Sequence, residues 1–197
     1  MRHYNLLEGQ NSKCIVVDVQ PAYTTDLPWI DDMMGWLNKQ GPVLMFVNAE
    51  NDGLTDDTIP AIQEYWQESG YADQSWNKTE VVDKGYGHFR GWMDQGVSDN
   101  AIIQAIRVMY QQKVTDSREL FGGDDSEHYV EQMAALGIPE EVLDDALSVE
   151  WTSVGQLKKY NGAYIMGGGR DECLREVELL MNAFNIKYKR VEDFVYG

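Results

Sequence analysis

Short runs of β-branched residues alternate with helix-like stretches along this chain, and the alternation limits the possible folds more than any other feature. The runs at Lys13–Val19 and Val43–Ala49 are largely apolar, which is typical of strands buried on both faces of a parallel sheet. Between them, Trp29–Lys39 repeats apolar side chains at helical spacing. The sequence therefore predicts an α/β fold, a three-layer sandwich with a central, mostly parallel sheet.

The alternation continues to the end of the sequence with one interruption. The further predicted elements are a helix over 59–69, a strand over 79–84, a strand over 163–166, a helix over 171–185 and a last strand over 187–194. Between about 96 and 150, helical patterns at 102–110, 126–136 and 139–148 follow one another. We expect one domain over 1–197 with a helical insert at about 96–150, because a chain of 197 residues can complete a single core.

The charge balance limits the partners of the chain. It has 33 acidic and 16 basic residues, and the formal net charge of -17 repels a phosphate backbone, so we expect no nucleic-acid binding. No apolar run approaches the ~20 residues that span a bilayer, and MRHYNLLEGQ has no apolar signal segment. Two cysteines are typical of a reducing compartment. The expectation is a cytoplasmic protein without a membrane partner.

Reactive side chains follow three of the predicted strands, at the edge where ligands of open parallel sheets bind. Asp18 ends the first strand, Lys84 ends the third, and Cys173 begins the helix after the glycine-rich end of the fourth. A lysine ammonium and a helix N-terminus favour the nucleophilic thiolate, and a carboxylate can accept the thiol proton and return it to a leaving amine. The residues predict a cysteine-centred active site.

Two segments around Asp18 and Lys84 resemble the isochorismatase-like cysteine hydrolases, a superfamily that includes nicotinamidases and N-carbamoyl amide hydrolases. DVQPAY is similar to the D-x-Q-x-x-F motif of the first strand in that family, which implies a general base at Asp18, with Gln20 and Tyr23 beside it. DKGYGHF is similar to the K-x-x-x-S-x-F segment, which implies a catalytic lysine at Lys84. The same segment places His88, at an altered position, and Phe89 near the substrate.

A third segment, GGGRDECLREVELLMNAFNIKYKRVED, is similar to the G-V-x-T-x-x-C-V stretch of the family with its helix and last strand, which implies a nucleophile at Cys173. In the family, backbone amides around the cysteine form the oxyanion hole and follow an unusual cis peptide. Gly168, Gly169 and Glu172 are the nearest matches to those positions. Gly168 and Arg170 stand where the family has valine and threonine.

The resemblance implies a small amide, imide or related metabolite as the substrate, a homo-oligomer, and no cofactor. Nicotinamidase-type members bind zinc or iron through a D-x-H motif and a further histidine, whereas this chain has only His3, His88 and His128, so we expect no metal. Glu50 and Asp52 follow the second strand, and a solvated acidic turn is favoured there over a cation site. The segments also resemble uncharacterised tailed-phage proteins, which implies the cytoplasm of a host cell.

Two alternative functions stay open at this point. The same cleft could hold a small metabolite or nucleotide without chemistry, because a glycine-rich loop at a helix N-terminus exposes amides to an anion and Gly168 and Arg170 depart from the family pattern. Asp171 and Glu172 directly precede Cys173 and are expected to raise its pKa, an effect that Arg170 would partly offset. The other alternative is a protein-interaction role of the insert.

Overall fold

The computed structural model describes residues 11–48, 58–122 and 127–197. Within these residues the strands are, in chain order, β1 (Cys14–Val17), β2 (Val43–Val47), β3 (Thr79–Asp83), β4 (Gly87–His88), β5 (Ser148–Val149), β6 (Ala163–Gly167) and β7 (Tyr188–Val195).

The helices of the same residues fall between these strands. They are α1 (Pro21–Thr24), α2 (Ile30–Leu37), α3 (Thr58–Glu68), α4 (Asp73–Trp76), α5 (Arg90–Asp94), α6 (Asp99–Gln112), α7 (Glu127–Ala135), α8 (Trp151–Lys159) and α9 (Cys173–Ala183), with 3-10 turns at Ser117–Gly122 and Glu140–Val142.

Five strands form one parallel sheet in the order β3-β2-β1-β6-β7. Cys14 of β1 aligns with Val43 of β2 on one side and with Tyr164 of β6 on the other. The predicted α/β fold with a central parallel sheet flanked by helices is confirmed, and the arrangement is consistent with a three-layer sandwich. Every pairing in this sheet is parallel, where the sequence had indicated a mostly parallel one.

Burial on both faces explains why these segments are strands. All residues of β1, β2 and β6 are buried, and the side chains of successive residues point to opposite faces. On one face, Cys14 and Val16 belong to a core cluster that also contains Met33 and Leu37 of α2 and Trp66 of α3. The residues of the other face of β1 and β2, which include Ile15 and Phe46, are equally inaccessible. Each β-branched run is thereby removed from water on two sides.

The chain divides into two compact units. The first, Met1–Lys84 with Tyr160–Leu174 and Tyr188–Gly197, contains the parallel sheet. The second, Gly85–Lys159 with Arg175–Lys187, contains α5 to α8 and the antiparallel pair β4 and β5. The single domain over residues 1–197 with an insert at about 96–150 stays a prediction.

The second unit is organised around α6, which the apolar stripe at 102–110 predicted. The side chain of Ser98 accepts a hydrogen bond from the Ala101 N–H and caps the start of the helix. Near its other end, the ring of Tyr110 packs edge-on against Trp151 and Phe184, at centroid distances of 5.4 and 4.9 Å. Arg107 adds a hydrogen bond from Nε to the backbone oxygen of Ala183.

The predicted helix at 139–148 is wrong for most of its length. Only Glu140–Val142 makes a 3-10 turn, and Ser148–Val149 pairs as a strand with β4. The Leu147 carbonyl accepts the Ser117 N–H at 2.8 Å, so long-range backbone pairing overrides the local helical pattern. The helix α8, which follows directly at Trp151–Lys159, was not indicated by the sequence.

Among the helices of the described residues, none combines the length and the apolar character that a bilayer crossing requires.

The buried thiol of Cys14 makes folding stability dependent on alkaline pH. Burial raises its pKa from 9.0 to about 12, with a smaller opposing effect of the Lys78 charge. Below pH 9 the thiol is protonated in both states, and above it the unfolded chain releases a proton that the folded chain keeps, so stability is lost as pH rises.

We expect the difference in unfolding free energy between the wild type and Cys14→Ala to shrink above pH 9, by on the order of 1 kcal/mol per pH unit. Urea unfolding of both proteins at pH 8, 9, 10 and 11 measures it. Tyr71 and Tyr160, whose pKa values burial raises to about 12, are present in both proteins, so the effect of their burial cancels in this difference and only the smaller effect of the Cys14 charge on them remains. A difference that stays constant with pH would contradict the interpretation.

Candidate active site

Asp18 follows the last residue of β1, at the carboxyl edge of the sheet. Its backbone N–H donates to the Phe46 carbonyl of β2 at 2.9 Å, and its φ of 49° lies in the left-handed region, so the chain turns sharply there. The side chain is 2% exposed, and both carboxylate oxygens are buried. The first predicted site residue is thus an acid held out of bulk water.

Lys84 follows β3 at the same edge. Its backbone N–H donates to the Val47 carbonyl of β2 at 2.5 Å, its φ is also positive at 27°, and the residue is half-buried. Since neighbouring strands lie ~4.8 Å apart and β2 separates β3 from β1, about 10 Å separate the backbones that carry Lys84 and Asp18. Two strands, β2 and β1, therefore stand between β3, which leads to Lys84, and β6, which leads to Cys173.

Cys173 is the first residue of α9 and follows β6, the strand on the other side of β1. Its thiol forms no disulfide and is half-buried. Gly167 aligns with Val17, so the loop that leads to Cys173 begins beside Asp18. The structure therefore places Asp18 and the start of the Cys173 loop on neighbouring strand ends.

The glycine-rich loop uses several of its amides within the molecule. The N–H of Gly168 donates to the Val17 carbonyl at 3.0 Å, that of Glu172 to the Gly169 carbonyl at 3.0 Å, and that of Arg170 to the Tyr196 carbonyl at 2.8 Å. The peptide bond between Gly168 and Gly169 is cis. Of the predicted oxyanion donors, the amides of Gly168 and Glu172 are thus engaged by carbonyls of the chain.

Tyr196 is a site residue that the sequence analysis missed. It directly follows β7, and its hydroxyl donates to the backbone carbonyl of Asp18 at 2.6 Å. A signal was present, because the rule that selected Asp18, Lys84 and Cys173 applies to every strand of a parallel sheet. The sequence predicts a last strand that ends at 194, one residue before the end of β7, so the rule points to Val195 and not to Tyr196.

The phenol of Tyr196 is half-buried near two charged positions of the candidate site. Its pKa is raised strongly, first by burial and then by the negative charges of Asp18, Cys173, Tyr23 and Tyr65 in that order. The phenol is therefore sensitive to the charge of the carboxylate and to that of the thiol. Tyr23, which the resemblance implied, is 37% exposed and belongs to this group.

Gln20 joins the loop after β1 to the end of β2. It is fully buried, its Nε2 donates to the Asn48 carbonyl at 2.7 Å, and its Oε1 accepts the Asn48 N–H at 2.7 Å. Its backbone carbonyl accepts the Thr24 hydroxyl. Through these bonds Gln20 positions the segment that carries Asp18.

Three further predicted residues lie in other surroundings. The guanidinium of Arg170 is paired with Glu192 of β7 at 2.8 Å, on the surface. His88 is exposed in β4, in the second unit, opposite Ser148. Phe89, in the same unit, is 1% exposed, and its N–H donates to the buried Glu176 carboxylate. Phe89 therefore packs in a core.

In the part of the chain that the structure describes, no group of three or more His, Cys, Asp or Glu side chains is arranged to hold a metal ion. Glu50 and Asp52, where the sequence favoured a solvated acidic turn, lie outside the described residues.

Comparisons of the chain with protein-family models, with curated proteins and with solved structures find no match.

Replacing Gln20 by Ala is expected to lower the unfolding free energy by about 2–5 kcal/mol, because two hydrogen bonds are lost and both backbone groups of Asn48 are left buried without them. Urea unfolding measures the loss. Gln111→Ala is the matched control, since Gln111 is exposed on α6 and its replacement should change stability by less than about 0.5 kcal/mol. Equal effects of the two substitutions would show that the paired bonds are not important.

Proposed function

We propose that this chain is a cysteine-dependent hydrolase of a small amide, imide or related metabolite, of the isochorismatase-like class, with Asp18, Lys84 and Cys173 as its catalytic residues. The observation that carries the proposal is the placement of a buried carboxylate, Asp18, and of the loop that leads to the Cys173 thiol on neighbouring strand ends. These strand ends lie at the carboxyl edge of a parallel sheet, where such folds bind ligands.

Two features favour the thiolate form of Cys173. The residue opens α9, an 11-residue helix, and the partial positive charge of a helix N-terminus stabilises an anion in its first turn. Lys84 adds a positive charge at the same edge of the sheet, after β3, which is three strands from β6. The role of Lys84 in the proposal is electrostatic, as it stabilises the thiolate and the oxyanion that forms later.

In the proposed reaction, Asp18 accepts the thiol proton and the sulfur of Cys173 attacks the amide carbon. The tetrahedral intermediate collapses with cleavage of the C–N bond, and the amine leaves with the proton from Asp18. Water then attacks the thioester and gives one proton to Asp18. Cleavage of the C–S bond releases the carboxylic acid, and Asp18 returns its proton to the sulfur of Cys173.

The oxyanion of the tetrahedral intermediate needs two donors about 3 Å away. Since the amides of Gly168, Arg170 and Glu172 donate to carbonyls of the chain, the proposal assigns one donor to the amide of Gly169. The same internal bonds leave fewer loop amides for the second candidate function, the capture of a small metabolite without chemistry, so they do not separate it from the hydrolase.

The rate of Cys173 alkylation by iodoacetamide, measured against pH by mass spectrometry, separates the two functions. A hydrolase is expected to show a midpoint at least one pH unit below the ~8.5 of an ordinary thiol, and Lys84→Met should move that midpoint upward. Cys14→Ala is the control, since Cys14 is buried and its removal should leave the profile unchanged. An ordinary midpoint in the wild type would favour the binding function.

Turnover provides the second test. Small primary amides, N-carbamoyl amines and cyclic imides are incubated with the protein, and the products are followed by mass spectrometry. Cys173→Ala should abolish any turnover and Asp18→Asn should lower it at least 100-fold, because general acid–base catalysis contributes about 10²–10⁴-fold. Turnover that survives in Cys173→Ala would show that the mechanism is wrong.

A further inference from the structure

We propose that Tyr196 is a positioning residue that fixes the segment carrying Asp18 against the glycine loop that leads to Cys173. The inference rests on the proposed function, since it concerns the same site. It starts from three separate contacts that this one residue makes through its backbone, its ring and its hydroxyl.

The backbone of Tyr196 binds the glycine loop at two points. Its N–H donates to the Gly167 carbonyl at 3.1 Å, and its carbonyl accepts the Arg170 N–H at 2.8 Å. The two bonds lie on either side of the Gly168–Gly169 peptide. Tyr196 thereby extends the pairing of β6 and β7 past the last residue of β7 and sets the path of the loop toward Cys173.

The ring of Tyr196 lies directly against Gly168. A Cβ placed on Gly168 would come within 2.3 Å of the ring carbon Cζ, closer than any real side chain allows. This contact gives a physical reason for the glycine at the position where the resembling family has valine. The Tyr196 ring also packs against the ring of Trp29, at a centroid distance of 6.3 Å.

The hydroxyl of Tyr196 completes the link with its 2.6 Å bond to the Asp18 carbonyl. Burial and the nearby negative charges raise the pKa of this phenol, so it stays protonated and remains a donor while Cys173 gains or loses its proton. One side chain therefore joins the ends of β1, β6 and β7. Removal of the Tyr196 side chain is therefore expected to change the position of the Asp18 carboxylate relative to the Cys173 thiol.

The first test is Tyr196→Phe, which keeps the ring on Gly168 and removes only the hydroxyl. Cys173 alkylation by iodoacetamide at pH 7 is expected to slow about three- to tenfold, which matches the loss of one hydrogen bond, and the pH midpoint should rise. Tyr110→Phe is the matched control, because Tyr110 is 45% exposed on α6 in the second unit, and it should change neither quantity.

The outcomes distinguish the two proposals. If the wild-type thiol has a lowered midpoint and Tyr196→Phe leaves the rate and the midpoint unchanged, the positioning role is overturned and the hydrolase stands. If the wild-type thiol titrates as an ordinary cysteine, both are overturned. A purely structural role of Tyr196 would lower the unfolding free energy without moving the midpoint, and that result also overturns the positioning role.

The second test does not depend on the stability of a single variant. Gly168→Ala inserts a methyl group where the Tyr196 ring lies, and it is expected to slow Cys173 alkylation strongly in the wild type. In a Tyr196→Ala background the space is open, so the same change should have a smaller effect. Additive effects in this double-mutant cycle would show that the ring contact does not control the thiol.

Discussion

Burial of the parallel sheet on both faces is the constraint on which the rest of this structure depends. Because its five strands run in one direction, the residues that follow them emerge at the same edge. Asp18, Lys84, Gly168 and Tyr196 all stand at that edge. The same apolar runs that drive folding therefore also determine where the reactive side chains meet.

The end of β2 acts as a common support for this edge. The carbonyl of Phe46 accepts the backbone N–H of Asp18 on one side of the strand. The carbonyl of Val47 accepts the backbone N–H of Lys84 on the other side. The next residue, Asn48, is bonded twice to Gln20. A strand without a reactive residue of its own thus orients the loops on both of its sides.

The sequence predicted the parallel sheet and the positions of Asp18, Lys84 and Cys173, because β-branched runs and strand ends are local features. Tyr196 was not predicted, because the predicted last strand ends one residue before the end of β7. The engagement of the Gly168 and Arg170 amides could not be predicted, since their acceptors, Val17 and Tyr196, are brought close only by the completed sheet. The helix expected at 139–148 was wrong for the same reason, as its backbone pairs with distant residues.

The contact between Gly168 and Tyr196 couples two positions 28 residues apart in sequence. A bulkier residue at the first position requires a smaller one at the second, so the two are expected to change together during evolution. A paired change at these two positions would therefore identify related chains, including those with low overall sequence identity. A glycine in this loop, accompanied by an aromatic residue just beyond the final strand, would mark homologues that close the site in the same way.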